Sequence, residues 1–362
     1  MYQASELIIR HPRQLTVAWA QKIVSHFAAS AEVFNVNVIA LDVGTTTRIQ
    51  LHVDHNGPDQ IPRNWFIKLP SLTWRARAIT ALPRLLATEV HFYQHIVPQV
   101  PLQTAAVLAA ASNLLTGSTL VIGDINEIGA QPGQAGQALT AAQAEAVVKQ
   151  LAKFHGQFWN PNQQHPHLQR LAGPTRALED LLGSILAVPL MKLGLQKAAN
   201  LIPATLQLPA VGYARQRRRI MAVLNQGPQT LIHRDCHPGN FFWHDNQPGF
   251  LDWQLVRIGE GMADVAYLLA TALEADVRRA HETDLIKTYA TELKIQGIAC
   301  DFDQLWPRYQ LHLCYPFEAM LLTLAIGGLM EPLSNRIMLS RAAQAVADHQ
   351  VFDLLQAACS RA

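Results

Sequence analysis

The chain has 362 residues, 49% of them hydrophobic and 15% charged, a balance that excludes a mainly disordered polypeptide and leaves ample length for a large core. Twenty-nine Lys and Arg against 27 Asp and Glu give a formal charge of +2, so no electrostatic bias points to nucleic acid or to a membrane surface. Cys236, Cys300, Cys314 and Cys359 form no C-x-x-C pair and are too sparse for a disulfide framework; they read as reduced thiols of a cytoplasmic protein. Glu6, Arg10, His11 and Arg13 interrupt any apolar run that would serve a secretory leader. The longest apolar stretch, Ala319 to Met330, falls short of the ~20 residues of a membrane span and is expected to be a buried helix.

Taken in chain order, Asn35 to Asp42 and Thr47 to Val53 alternate β-branched or apolar residues with polar ones around a turn cluster at Gly44 to Thr46, the pattern of a hairpin. A second turn cluster, His55 to Asp59, leads to the short run Trp65 to Leu69, which Pro70 ends, so three antiparallel strands are expected. Arg77 to Ile96 carries apolar residues at helical spacing, with Pro98 just beyond it. Ala105 to Ala110 and Ser118 to Ile122 read as two further strands. The Gly-, Gln- and Pro-rich segment 128–137 marks a linker or exposed loop, and Thr140 with Gln143 forms a capping box that opens a helix running to about Trp159. Beyond it the chain is mostly helical, except from Leu231 to Trp253, where two short apolar runs flank a polar loop.

That loop carries the chemistry. In Thr230-Leu-Ile-His-Arg-Asp-Cys-His-Pro-Gly-Asn-Phe-Phe-Trp243 and Pro248-Gly-Phe-Leu-Asp-Trp-Gln254, Asp235 offers a carboxylate able to accept a proton. Asn240 and Asp252 offer hard oxygen ligands suited to Mg²⁺ bound with substrate phosphates. The order His-Arg-Asp, Asn five positions on, and Asp252 twelve beyond Asn240 follows the kinase catalytic loop and metal aspartate.

On these residues the sequence resembles the aminoglycoside phosphotransferase and choline kinase superfamily, small-molecule kinases with the protein-kinase-like fold. The resemblance implies an α+β, two-lobe architecture. A small lobe over residues 1–124 would hold about five antiparallel strands plus one helix, and a larger, mainly helical lobe would follow over 125–362, with the nucleotide between them. It implies Asp235 as catalytic base toward an acceptor hydroxyl, Asn240 and Asp252 as Mg²⁺ ligands, and His237 where a basic residue approaches the γ-phosphate. It also implies Asp264, in Gly259-Glu-Gly-Met-Ala-Asp264, as a brace beneath the catalytic loop. Lys68 resembles the strand lysine that contacts the α- and β-phosphates, Glu89 its helical ion-pair partner, and Gly44, Thr45 and Thr46 the phosphate-covering loop. Backbone groups of Gly123 and Ile125 fall where adenine is bound. The implied reaction moves the γ-phosphate of ATP or GTP to a small-molecule alcohol, with Mg²⁺ as cofactor and neither nucleic acid nor membrane as partner.

The sequence also departs from the pattern. The phosphate-covering loop has a single glycine, many members carry Gly where this chain has Arg234, and Gln254 resembles the ecdysteroid-kinase-like branch. A nucleotide-binding pseudokinase or scaffold stays open as an alternative, although no residue needed for phosphoryl transfer is missing. A metal-dependent hydrolase built on His233 and His237 is a second alternative, against which Pro238 and Gly239 break any helix that would align the two rings. The run Arg215 to Arg219 reads as a solvated helix face or a phosphate-attracting patch. Trp306, Tyr309, His312 and Tyr315 recur about every three residues, as core or as a wall of the acceptor pocket. Carboxylates are scattered over 301–362, which favours a weakly charged alcohol, while the faces of Tyr309 and Tyr315 leave room for a choline-like cation.

Overall fold

The computed structural model describes residues 4–73, 84–113, 116–161, 166–172, 174–198 and 200–361. These form two compact units, and the division is not a single cut. The first comprises residues 1–99, 103–132 and 242–255; the second comprises 100–102, 133–241 and 256–362.

The first unit is built on a five-stranded sheet in the order β1-β2-β3-β6-β5: β1 (Val33–Val43), β2 (Thr46–His55), β3 (Asn64–Pro70), β5 (Val107–Asn113) and β6 (Gly117–Gly123). Every pairing is antiparallel, as the alternating runs imply. Ile49, Leu51 and Val53 of β2 and Trp65, Ile67 and Leu69 of β3 are buried in one core with α1 (Val17–Phe27). Sequence pattern assigned no element to α1. Its N-cap is Thr16, whose hydroxyl accepts from the Trp19 amide, and Trp19 meets Trp65 edge-on at 6.2 Å. The two-residue period that sends Trp65, Ile67 and Leu69 into this core turns Lys68 to the opposite face.

The expected helix after Pro70 is described as α2 (Leu85–His95), while the part expected over 77–83 lies outside the described residues. Short β4 (Gln103–Thr104) and β7 (Gln131–Pro132) flank a hairpin of β9 (Phe241–His244) and β10 (Gln247–Phe250) in a second sheet, ordered β4-β10-β9-β7. Asp245 and Asn246 close that hairpin with φ of 50° and 59°, the left-handed pair that a two-residue turn needs. Gly249 is required because a Cβ there would sit 2.0 Å from the Phe242 ring.

The second unit is helical around a two-stranded ladder of β8 (Gln229–Ile232) and β11 (Arg257–Glu260). Its helices are α3 (Ala141–Gln157), α4 (Pro166–Ala172), α5 (Pro174–Lys197), α6 (Ala204–Arg215), α7 (Arg217–Leu224), α8 (Met262–Ala272), α9 (Ala275–Ile295), α10 (Phe302–His312), α11 (Cys314–Ile326), α12 (Pro332–Asp348) and α13 (Val351–Arg361). Every residue of α8 is buried, so this helix is the axis on which α3, α10, α11 and α12 pack. Of the apolar stretch expected as a buried helix from Ala319 to Met330, the part to Ile326 is the C-terminal half of α11, which Gly327 ends at φ 75°; residues 327–330 lie beyond it, and only Met320, Leu321 and Ala325 of the stretch are buried. Among the described residues no helix is long and apolar enough to cross a membrane.

The capping box of α3 is present in both directions: Thr140 Oγ1 accepts from the Gln143 amide at 3.2 Å, and Gln143 Oε1 accepts from the Thr140 amide at 2.9 Å. Thr140→Ala is expected to cost about 1 kcal/mol, read as a lower urea midpoint at unchanged slope.

Candidate active site

In the second unit the chain leaves β8 at Ile232 and enters a loop whose backbone is held from α8. Asp264, fully buried in the first turn of that helix, accepts from the amides of His233 at 2.6 Å and Arg234 at 2.7 Å. Its Oδ2 also lies 3.2 Å from His155 Nε2, and His155 Nδ1 lies 2.8 Å from the Tyr289 hydroxyl. A helix N-terminus favours a carboxylate, and the three donors replace the water it gives up. Asp264 thus braces the loop, as expected.

Held in this way, Arg234 adopts φ 71°, a left-handed conformation that costs a residue with a Cβ about 1–2 kcal/mol. The next residue, Asp235, is partly exposed, and both of its carboxylate oxygens are oriented. Tyr267 donates its hydroxyl to Oδ1 at 2.8 Å, and Asn240 Nδ2 donates to Oδ2 at 3.0 Å and to the Asp235 carbonyl at 2.9 Å. Burial, with the Asp235 charge beside it, pushes the Tyr267 phenol well above its usual range, so it remains a donor. With its amide nitrogen spent on Asp235, Asn240 has its carbonyl oxygen left for a cation. Sequence reading missed Tyr267; the available signal was its position three residues after Asp264, on the same helical face.

His237 is buried, its Nδ1 accepting from the Gly239 amide at 3.1 Å and its Nε2 standing 3.7 Å from Asp235 Oδ2. His233 Nδ1 likewise accepts from the Asp235 amide at 3.2 Å. Each ring thus closes a local turn through its Nδ1.

The first unit gathers Lys68, Glu89 and Asp252. Lys68 Nζ donates to Glu89 Oε1 and Oε2 at 2.8 and 3.0 Å and to Asp252 Oδ1 at 2.9 Å. Burial alone would lower the Lys68 pKa, but Asp252 and Glu89 outweigh it and raise it, so the ammonium stays charged. Burial pushes Glu89 upward, and Lys68 only partly counters this. Asp252 reaches Lys68 because the following Trp253 stacks on Phe92 of α2, ring centres 4.1 Å apart, so helix and loop arrive together. Asp252 itself has φ 61°.

The turn between β1 and β2 is tied to the end of β3: Ser71 donates its hydroxyl to the Gly44 carbonyl at 2.8 Å. Gly44 and Thr45 are half-buried and Thr46 is buried. At the end of β6 the expectation for the base narrows. The Gly123 amide donates to the Ala106 carbonyl at 2.8 Å, and the Ile125 carbonyl accepts from Ala130 at 3.1 Å, so the expectation for adenine narrows to the Gly123 carbonyl and the Ile125 amide.

Two further expectations change. In the run Arg215 to Arg219, read as a solvated face or a phosphate-attracting patch, Arg215, Arg218 and Arg219 are exposed, but Arg217 is buried and donates to Glu318 at 2.6 Å. Tyr309 is fully buried with its hydroxyl on Glu282, and the Tyr315 ring is covered by the Arg234 guanidinium, 4.8 Å from its centre. Neither ring offers the open face that a choline-like cation requires.

With the fold and these residues in place, the chain can be set beside known proteins. Choline kinase from Cryptosporidium parvum is similar over 92% of this chain and 96% of its own, at 10% identity and a TM-score of 0.56. Ethanolamine kinase from Plasmodium vivax matches over 97% and 94% at 14% identity and 0.48. A choline/ethanolamine kinase family protein from Mesorhizobium loti matches over 95% and 98% at 14% identity and 0.48. The first of these establishes the protein-kinase-like α+β fold. No curated protein matches the sequence. The model of the ecdysteroid kinase-like family matches residues 43–297, and the chain belongs to that family.

Two outcomes test the geometry of the second unit. Asp264→Ala strands the His233 and Arg234 amides and should lower stability by about 3 kcal/mol or more, measured by denaturant unfolding. Glu260, at the end of β11, is bound by Arg308 Nε at 2.9 and 3.0 Å and by His312 Nε2 at 3.0 Å. Burial would raise its pKa, but His312 and Arg308 outweigh this and hold it below the usual 4.5. Its stabilisation is therefore full above about pH 4.5 and lost as pH falls through the depressed folded value. Glu260→Gln should melt below the wild type at pH 7, and the gap should close under acid.

Proposed function

We propose that the protein transfers the γ-phosphate of ATP or GTP to a hydroxyl group of a small molecule. The observation that carries this reading is the Asp235 carboxylate, aimed by Tyr267 and Asn240 on a loop whose backbone Asp264 fixes. Asp235 takes the acceptor hydroxyl and its proton. Lys68, kept charged by Glu89, neutralises phosphate oxygens, and the Gly44 to Thr46 turn covers them. His237, whose Nε2 stands 3.7 Å from Asp235 Oδ2, approaches the γ-phosphate. Asn240 and Asp252 supply the oxygen donors for Mg²⁺, a set whose hardness fits that ion. When bound, the ion draws charge from the transferring phosphoryl group. The protein's own contribution is positioning and a preorganised field, since phosphoryl transfer needs little covalent work from side chains. The acceptor reacts as an alcohol, and the compartment implied by the thiols is the cytoplasm.

Asp235→Ala should lower transfer by about a thousandfold while nucleotide still raises the melting temperature. Asp252→Ala should lose the Mg²⁺-dependent part of that rise. Equal Mg·nucleotide affinity in wild type and Asp252→Ala would remove Asp252 from the metal site.

A further inference from the structure

A cavity of about 50 Å³ in the second unit is lined by Asp180, Arg234, Arg257, Glu260, His312 and Tyr315, among others. Its carboxylates are already committed. Arg257 Nη1 and Nη2 donate to the two oxygens of Asp180 at 3.2 and 3.0 Å, a bidentate pair, and Glu260 is held by Arg308 and His312. Arg234 is the guanidinium left over. Its Nε donates to the Tyr315 hydroxyl at 3.0 Å, but among the described residues it has no carboxylate in ion-pair contact. Among the described residues neither Nη has a hydrogen-bond partner in the protein, and Arg234 lines the cavity. Burial would lower the Arg234 pKa, yet Tyr315 and Asp180 outweigh it and the charge is kept.

The backbone adds an independent observation. Arg234 sits at φ 71°, where glycine is at ease and a side chain with a Cβ is strained. Strain of this kind is retained where the side chain does something that a glycine would not. Arg234 does not stabilise through a partner carboxylate, and it stands directly before Asp235. The cavity has room for a group of a few heavy atoms, the size of a carboxylate.

We infer that this cavity is an anion subsite, in which the two Nη groups of Arg234 receive a carboxylate of the acceptor, so that the substrates are alcohols that also carry a carboxylate. The acceptor part rests on the phosphotransferase reading; binding of the anion does not. A planar carboxylate matches the guanidinium fork, and a quaternary ammonium is repelled by it.

The test has two arms. Sodium formate, compared with sodium chloride at equal ionic strength, should raise the melting temperature of the wild type but not that of Arg234→Gly, a substitution that the backbone accepts; Arg234→Lys should respond weakly. In transfer assays, hydroxy acids should be preferred over their amides. Arg234→Gly should raise KM for the acids about 10- to 100-fold more than it raises KM for the amides, with any change in kcat shared by both. An equal formate response in wild type and Arg234→Gly, or equal use of acid and amide by the wild type, overturns the inference. If the wild type phosphorylates no alcohol, the phosphotransferase reading fails, and the formate comparison alone decides the subsite.

Discussion

Asp264 is the constraint on which the second unit's chemistry depends. One buried carboxylate accepts from two consecutive backbone amides, that of His233 on Oδ2 and that of Arg234 on Oδ1. Directly after these anchored amides the chain turns at Arg234, with φ 71°. From there the orientation of Asp235 follows, because its amide is caught by His233 and its carboxylate by Tyr267 and Asn240. Tyr267 and Asp264 share one helical face of α8, so a single fully buried helix sets both the backbone and the side chain of the loop. Mobility of α8 would loosen both at once, which accounts for its complete burial.

The first unit solves a different electrostatic problem. Lys68 is nearly enclosed, and a buried ammonium is tolerable only when it is paired. Glu89 and Asp252 supply two carboxylates for one cation, an arrangement one negative charge in excess. Together they raise the Lys68 pKa above its usual value, while burial pushes Glu89 upward. The Phe92 and Trp253 stack holds the trio together by an apolar contact that salt does not screen, so the ionic geometry does not depend on the ionic interaction alone.

Charge is also distributed unevenly across the second unit. Glu260, Glu282 and Glu318 are each buried beside an arginine, and Asp180 is paired with Arg257. Arg234 stands outside this pairing and covers the face of Tyr315. A pocket wall that reads in the sequence as aromatic and receptive to cations becomes, once folded, a cationic wall receptive to anions.

The sequence by itself determined the features whose causes are local. The capping box at Thr140, the alternation of β2 and β3 and the five-residue spacing of Asp235 and Asn240 each involve groups a few residues apart. Chain geometry alone brings such groups into register. Of the partners of Lys68, Glu89 became visible through resemblance to a kinase pattern, whereas the contact with Asp252, 184 residues away in sequence, did not. Tertiary structure alone decided where α1 packs, with Trp19 against Trp65, although the Thr16 cap and the apolar spacing of Trp19, Ala20, Ile23 and Val24 made the helix itself legible in the sequence. It also decided the burial of Arg217 against Glu318, the burial of Tyr309 with its hydroxyl on Glu282, and the placement of the Arg234 guanidinium over the Tyr315 ring. In each of these the outcome turns on which distant partner takes a hydrogen bond or covers a face, and that competition is resolved only when the segments are packed together.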